Sequence, residues 1–302
     1  MPPRHPQDGI RPAAELSEPE SKRVRALMVV CMYAGARRGA MNGLGGVATA
    51  LVAWGNAWLT GHVGLDEAVD TVEKTAGPQI VGGGVPGTGG TERDLPLRAG
   101  LGELRVAGLA ALRVALPAPG DPLGLTGPPD FNRAALDAQA AVIAVLPDRA
   151  VGLIPAEDRR GSSYVGVRWQ ARDAATGVPD VPSLPDADRQ LQLAMRDATE
   201  VLLTVDDAAS GAVPPEIADA LADLREPGPD DHPLAPGYPQ RAHRVAALAG
   251  RLSLVVDLAR RMDDRGLTAE QMRRRGEALR MLDRAVRRAM VAACNSSFDP
   301  VL

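Results

Sequence analysis

Apolar residues near the amino terminus recur with the spacing of α-helices. Ser17 and Glu20 stand three residues apart, as in a capping box, and predict the start of a first helix. A second helix is predicted over 44–58, with Gly61 at its end, and a short third helix over 65–74. The apolar stripe of the second helix consists of Leu44, Val47, Leu51, Trp54 and Trp58. We therefore expect both tryptophans to be buried.

The middle of the chain is patterned as β-strands. Residues 112–116 form an apolar run typical of a buried strand, and 141–146 with 151–154 predict a hairpin. Residues 164–172 alternate between apolar and polar, as expected for a strand with one buried face. The inward positions of that strand are Val165, Val167 and Trp169. Together these runs predict a small mixed sheet of three or four strands.

Glycine and proline separate these elements. Residues 76–100 are rich in both and predict a short strand followed by a flexible loop, with a helix near 97–107. Residues 117–129 contain too many prolines for regular structure, because proline lacks the amide donor of a helix or a strand ladder. One or two helical turns are expected over 132–139.

The last third of the chain is helical. Its apolar stripes are Leu191, Ala194, Ala198, Val201 and Val205, then Ile217, Leu221 and Leu224, then Val245, Leu248, Leu252, Val255, Ala259 and Met262. Thr268 and Gln271 predict a capping box at the start of the final helix. In that helix, a seven-residue repeat is formed by Met272, Leu279, Val286 and Ala293. The last two helices are expected to pack as an antiparallel hairpin.

These elements predict an α+β fold that is predominantly helical, in which a small mixed β-sheet is covered by amino- and carboxyl-terminal helices. Along the chain we expect a disordered tail over 1–16, a helical segment over 17–76, a small αβ segment over 77–180 and a second helical segment over 181–302. The pattern allows the two helical segments to pack together, and it leaves one domain or two open.

Composition narrows the classes of function. Only eight of the 302 residues are aromatic, which leaves few stacking surfaces for single-stranded nucleic acids or sugars. The net charge of −4 argues against a general polyanion binder. Two cysteines are too few for a disulfide scaffold, and the polar, proline-rich start lacks the apolar core of a signal peptide. Glycine and polar residues interrupt 41–65 too often for a membrane-spanning helix, so we expect a cytoplasmic location.

Three glycines have the spacing of a dinucleotide-binding loop, but their context is unfavourable. Pro86 lies among Gly82, Gly84 and Gly87, and no helical pattern starts on them that would point amide donors at a pyrophosphate. We interpret the 82–90 stretch as a mobile linker, with a nucleotide site as the alternative. No cofactor is predicted.

Side chains suited to nucleophilic or metal chemistry are scattered. The Ser162–Ser163 pair fails the pattern of a nucleophile elbow, because Val165 stands where the second glycine is required. No two of the histidines share a helix face at four-residue spacing. The histidines are His5, His62, His232 and His243. No metal site is predicted, and Asn295 begins a glycosylation sequon by letter only.

The loop after the 112–116 strand is the most distinctive candidate site. Its turn chemistry holds Asp121 at the end of a strand, where αβ folds place ligand sites, with Asn132 and Arg113 nearby. On this hypothesis the chain is an enzyme or a small-molecule binder. We favour the alternative, in which a rigid proline- and glycine-rich loop covers the edge of the sheet.

Acidic and basic residues are concentrated in different parts of the last third of the chain. Residues 180–231 hold thirteen acidic residues and three arginines, whereas 260–288 hold ten arginines and five acidic residues. The basic helix, with arginine at 273–275, is suited to bind nucleic acid or an acidic partner. We favour a simpler interpretation, in which the basic helix lies beside the acidic helices and the charges complement each other within the chain.

Two stretches resemble a group of conserved actinobacterial proteins with no assigned activity. They are AWGNAWLTGHVGLDEAVDTVE over 53–73 and LRVALPAPGDPLGLTGPPDFNRAALDAQ over 112–139. The similarity covers roughly the first half of the chain and rests mainly on the PGDPLGLTGP loop. The resemblance implies a bacterial cytosolic setting and supplies no catalytic residues.

These observations favour a non-catalytic bacterial interaction or regulatory protein that acts through helix faces on a protein partner or in a homodimer. The helices are strongly patterned and well capped, whereas each catalytic template fails on spacing. An enzyme or small-molecule binder at the Asp121 loop is the first alternative. Nucleic-acid binding by the arginine-rich last helix is the second.

Overall fold

The computed structural model describes residues 43–83, 85, 93–160, 164–206, 234–261 and 267–296. The helices in these ranges are α1 (Leu44–Leu59), α2 (Leu65–Ala76), α3 (Leu97–Val106), α4 (Pro129–Ala138), α5 (Leu184–Asp206), α6 (Gln240–Arg261) and α7 (Ala269–Cys294). The strands are β1 (Gln79–Gly82), β2 (Leu95–Pro96), β3 (Ala111–Ala115), β4 (Ala141–Val145), β5 (Ala150–Arg160) and β6 (Tyr164–Ala174). The helices expected after Ser17 and around Ile217 lie outside the described residues. The predominantly helical α+β class is confirmed.

The six strands form one sheet in the order β2-β1-β6-β5-β4-β3. β1 runs parallel to β6 and the other neighbouring pairs are antiparallel, so the sheet is mixed as predicted. The expected three or four strands were too few, because the two-residue β2 is too short to show a periodic pattern. β5 also continues from its predicted end at Ile154 to Arg160, since its polar half pairs with β6.

The sheet separates two buried clusters of unequal size. Alternate residues of β4 face opposite clusters: Val142 and Ala144 join the larger one and Ile143 the smaller one. The larger cluster also contains residues of α1–α3 and α5–α7. The smaller one lies under α4, where Phe131 packs so closely on Gly152 that a Cβ there would lie 2.1 Å from the ring. Helices therefore cover both faces, with most of them on one side.

β6 shows where the helical cover ends. Val167 and Trp169 are buried as predicted, but Val165 on the same face is 56% exposed. The expectation for Val165 was wrong because the end of the β5–β6 hairpin extends past the helices that cover its other half. In the half of β6 that the helices cover, Trp169 Nε1 donates to Gln79 Oε1 at 2.7 Å, and Gln79 Nε2 donates to the Val72 carbonyl at 3.2 Å. These bonds join β6, β1 and α2.

α1 meets the sheet through small residues rather than through its tryptophans. A Cβ at Gly55 would lie 2.4 Å from Leu112 of β3, so the helix backbone approaches the sheet closely. The fully buried positions include Ala48, Leu51, Val52, Ala53 and Ala57. Trp54 and Trp58 are only half-buried, beside this contact. The expectation that both are buried was wrong, since the close contact turns the alanines inward.

Two predicted helix ends are confirmed. α1 ends before Gly61, whose φ of +84° is a conformation that favours glycine. There the His62 N–H donates to the Ala57 carbonyl at 2.8 Å, closing the helix in a Schellman motif. At the start of α7, Thr268 and Gln271 form the reciprocal bonds of a capping box.

α7 is the central helix of the carboxyl-terminal bundle and contacts both α5 and α6. Arg275 near its start donates to the Ala259 carbonyl near the end of α6, and Tyr238 before α6 donates to the Cys294 carbonyl at 2.7 Å. α6 and α7 therefore form the predicted antiparallel hairpin. Leu279, Val286 and Ala293 of the seven-residue repeat are buried, whereas Met272 in the first turn is exposed. No helix in the described ranges is long and apolar enough to cross a membrane.

β3 is the last strand of the sheet, and two asparagine side chains close its outer edge. Asn56 of α1 accepts from the Leu112 N–H and donates to the Leu112 carbonyl, both at 2.8 Å. Asn295, just after α7, makes the same pair of bonds with Val114, at 2.9 and 3.1 Å. An open edge is a template for another strand. Here the two amides take the place of a neighbouring strand.

We expect Asn56→Ala to lower the free energy of unfolding by about 2–4 kcal/mol, because it leaves a buried N–H and a buried carbonyl of Leu112 without partners. Asn295→Ala is expected to lower it by only about 1–2 kcal/mol, because Asn295 is half-buried and water can replace its amide. Urea unfolding followed by circular dichroism measures both, with Gln190→Ala on the exposed face of α5 as control. A smaller loss for Asn56→Ala than for Asn295→Ala would contradict the assignment.

Candidate functional site

The candidate site begins with the loop over 116–128 that joins β3 to α4. Ala118 and Asp121 each donate their N–H to the other's carbonyl, at 3.0 and 2.9 Å, and so close a tight turn. Gly120 in this turn has a φ of +77°, which favours glycine. Leu123 is fully buried. The loop is therefore packed down on the sheet.

Asp121 is buried beneath three arginines of α7, with only 4% of its surface exposed. Its Oδ1 accepts from Arg288 Nη2 at 2.9 Å, and its Oδ2 accepts from Arg287 Nη2 at 3.3 Å. Arg284 Nε lies 3.5 Å from the same Oδ2. Both carboxylate oxygens are thus occupied by guanidinium groups, so that Asp121 anchors the loop to α7 and is not presented to a ligand.

Two of these arginines extend the network. Arg287 also donates to the Leu116 carbonyl at 2.8 Å and to Asp283 at 3.2 Å, which ties α7 to the end of β3. Arg288 lies 3.5 Å from the exposed carboxylate of Asp180. The buried Nε of Arg288 has no hydrogen-bond partner among the described residues. Buried polar groups are nearly always paired. In this network the described residues supply no acceptor for one buried donor, the Arg288 Nε.

The two residues expected beside Asp121 have separate contacts. Asn132 Oδ1 accepts from the Gly127 N–H at 3.0 Å and fixes the end of the loop before α4. Arg113 pairs in register with Ile143, whose side chain lies in the cluster under α4. Because side chains alternate along a strand, Arg113 lies on the face of the sheet opposite the larger cluster. The structure therefore does not build one site from these three residues.

An ion pair between Asp94 and Arg168 lies next to Gly83, near the start of the glycine-rich stretch. Asp94 accepts from the Gly83 N–H at 3.3 Å and binds Arg168 through both oxygens, at 2.6 and 2.8 Å. The hydrogen bond from Arg168 lowers the pKa of Asp94. Gly84 and Gly87 lie outside the described residues.

The two described histidines have separate contacts. His62 packs against Gly237, and His243 meets the ring of Tyr238 edge-on at a centroid distance of 6.4 Å. Ser162, Ser163, His5 and His232 lie outside the described residues. In the part of the chain that the structure describes, no three His, Cys, Asp or Glu side chains are grouped to hold a metal ion.

The arginine run of α7 is neutralised within its own helix. Arg273 pairs with Glu270 and Glu277, both at 2.9 Å, and Arg274 pairs with Glu270 at 2.7 Å. These bonds, first that from Arg273, lower the pKa of Glu270 to about 2. Arg275, the third arginine of the run, is buried against α6. The run is therefore not an open basic face.

Several charges of the bundle are paired within the chain, and the described ion pairs of the α7 arginines are with acids outside α5. The acidic α5 pairs with α6, through Asp188 and Arg241 at 3.0 Å. Among the described residues of the acidic stretch, Asp180 reaches an arginine of α7. The other described ion pairs of those arginines are with acids of α7 itself and with Asp121. Part of the charge balance of α7 therefore comes from acids of the same helix.

Sequence reasoning missed the polar residues that hold the site in place. Asn56 is a buried amide in an otherwise apolar helix. A polar residue in such a helix is the sequence signal that could have identified it, because a buried amide needs hydrogen-bond partners. Asn295 was considered only as a sequon, yet both atoms of its amide bind Val114. Tyr238 lies close by, and burial raises the pKa of its hydroxyl, which donates to the Cys294 carbonyl.

Comparison with known proteins matches most of the described chain to one family. A model of the amino-terminal domain of Rv1486c-like proteins matches residues 48–183, and a model of their carboxyl-terminal domain matches 185–291. The chain is 28% identical over 275 residues to the uncharacterised protein Rv1486c of Mycobacterium tuberculosis H37Rv, covering 80% of this chain and 93% of the relative. It is 28% identical over 296 residues to the uncharacterised protein ML1804 of Mycobacterium leprae, covering 82% and 95%. No solved structure matches the chain.

We expect Asp121→Asn to lower the free energy of unfolding by about 3–5 kcal/mol, because it leaves Arg287 and Arg288 partly buried without their shared counter-charge. Asp180→Asn removes an exposed partner of the same cluster and is expected to change stability by less than about 1 kcal/mol. Urea unfolding of both variants measures the difference. Equal effects would show that Asp121 is not the anchor of the loop.

The carboxyl group of Glu270 is expected to titrate at about 2 in the folded protein, below its usual value of 4.5. Because the folded-state pKa is lowered, its contribution to stability is present above pH 4.5 and is lost as the pH falls toward 2. NMR titration of the Glu270 side chain measures this pKa. Arg273→Gln is expected to raise it, while Arg133→Gln on α4 leaves it unchanged.

Proposed function

We propose, from the premise that the chain belongs to the Rv1486c-like family, that it is a non-catalytic bacterial interaction protein which binds a protein partner through the outer face of α7. The curated relatives are named as uncharacterised, so the proposal rests on the surface of this chain. A cytoplasmic setting is part of the proposal.

The observation that carries the proposal is an apolar side chain exposed among arginines. Met281 of α7 is 59% exposed, and Arg284 and Arg288 follow it by three and seven residues on the same helix face. Methionine and arginine are both enriched at protein interfaces, and methionine adapts its shape to a partner surface. This stripe, Met281–Arg284–Arg288, is the proposed contact surface.

The buried network beneath the stripe supports a binding role. Asp121 holds Arg284 and Arg288 from below, so their positions are partly fixed before a partner arrives. Ordering flexible side chains opposes association, and a fixed arrangement reduces that cost. The same occupation of Asp121 speaks against its use as a catalytic acid or base.

Met281→Asp is expected to weaken partner binding without unfolding the protein, because it replaces the exposed apolar side chain of the contact surface with a charge. Val178→Asp, which places the same charge at a more exposed position outside α7, is the control. Tagged wild type and both variants are used for capture from a lysate of the native host, and each captured protein is then purified and titrated by calorimetry. We expect one protein to bind wild type and Val178→Asp equally, and Met281→Asp at least tenfold more weakly.

Light scattering of the purified wild type tests the homodimer within the same proposal. A dimer that Met281→Asp converts to a monomer would identify a second copy of the chain as the partner. If Met281→Asp changes neither the oligomeric state nor any captured protein, the proposed surface is wrong.

A further inference from the structure

Three arginines of α7 form a ridge that the fold does not fully neutralise. Arg280, Arg284 and Arg288 follow one another at four-residue spacing, which places them on one helix face with about 6 Å between successive residues along the axis. Like charges at this spacing repel, so an arginine ridge is unfavourable unless negative charge lies beside it.

The negative charge beside the ridge is insufficient. Asp121 serves Arg284, Arg287 and Arg288 together, while Asp283 is shared by Arg287 and Arg260. With Asp180 included, the described part of this cluster sets three carboxylates against four guanidinium groups, namely those of Arg260, Arg284, Arg287 and Arg288. The cluster therefore attracts an anion.

The donors for that anion differ in exposure, and only 17% of the Arg288 side chain is open to solvent. Arg284 is 49% exposed, and its contact with Asp121 is through Nε alone, at 3.5 Å. Arg288 is held by Asp121 on its buried side and faces Asp180 at 3.5 Å. The Asp180 side chain is 80% exposed, and an exposed pair of this length contributes little, so an incoming anion can replace it.

We propose that the ridge binds a phosphate group, with Arg284 and Arg288 as its main donors and Arg280 beside them. Arginine presents paired N–H donors that match phosphate oxygens, and the buried Asp121 fixes the two main guanidinium groups without occupying their outer sides. Asp180 then acts as a weak internal competitor for Arg288. The site shares Arg284 and Arg288 with the contact surface proposed above, but anion binding requires no protein partner, so phosphate titration of the purified chain tests it separately.

Inorganic phosphate is the probe that tests the site. We expect the Tm of the wild type to rise with phosphate concentration and to saturate, in excess of any rise in sodium chloride of equal ionic strength. Arg284→Gln leaves Arg287 and Arg288 on Asp121, so it should fold, and we expect it to weaken phosphate binding at least fivefold. Arg280→Gln is expected to weaken it by a smaller factor.

Two further variants separate specific binding from general charge effects. Asp180→Asn is expected to lower the half-saturating phosphate concentration about threefold, because it removes the competitor. Arg133→Gln, which removes an exposed arginine on α4, is expected to change nothing. The proposal is overturned if chloride gives the same rise as phosphate, if Arg284→Gln binds phosphate like the wild type, or if duplex DNA binds at the ridge while phosphate does not.

Discussion

The structure depends on the closure of the outer edge of β3. Among the described strands none lies beyond β3, so its outward N–H and carbonyl groups need partners from other elements. Because the outward groups of a strand recur at every second residue, the partners arrive at Leu112, Val114 and Leu116, from Asn56, Asn295 and Arg287 respectively. The side chains belong to α1, to α7 and to the residue that follows α7, so the closure also fixes these two helices against the sheet.

The same closure determines where the arginines of α7 lie. Arg287 binds the Leu116 carbonyl and Asp121 with different nitrogens of one guanidinium group. One side chain therefore binds both the edge of β3 and the loop. Arg284 and Arg288 lie near Arg287 on the same helix, and both contact the same carboxylate, that of Asp121. The loop that the sequence singled out is rigid because its single acid is the meeting point of this network.

The sequence predicts the regular elements well and the polar contacts poorly, for a physical reason. Periodicity is local, so the hairpin of β4 and β5, the capping box at Thr268 and the end of α1 at Gly61 were all recognisable. Asn56 and Asn295 form hydrogen bonds with residues that are 56 and 181 positions away in the sequence. The residues next to each asparagine in the sequence do not indicate those partners. Asp121 was identified as distinctive, but its role depends on arginines more than 160 residues further on.

The outer half of β5 is a further place where an extended partner could add to the sheet. Among the described strands, β4 pairs with β5 only as far as Leu153, so no described strand pairs with that side of β5 over 154–160. Proline and charged residues discourage strand addition, and this stretch contains Pro155 followed by charged residues over 157–160. Extended partners are therefore disfavoured both at the edge of β3, which asparagines close, and along this half of β5. The outer face of α7, where the exposed Met281 stands beside arginines that share one buried carboxylate, has no such protection.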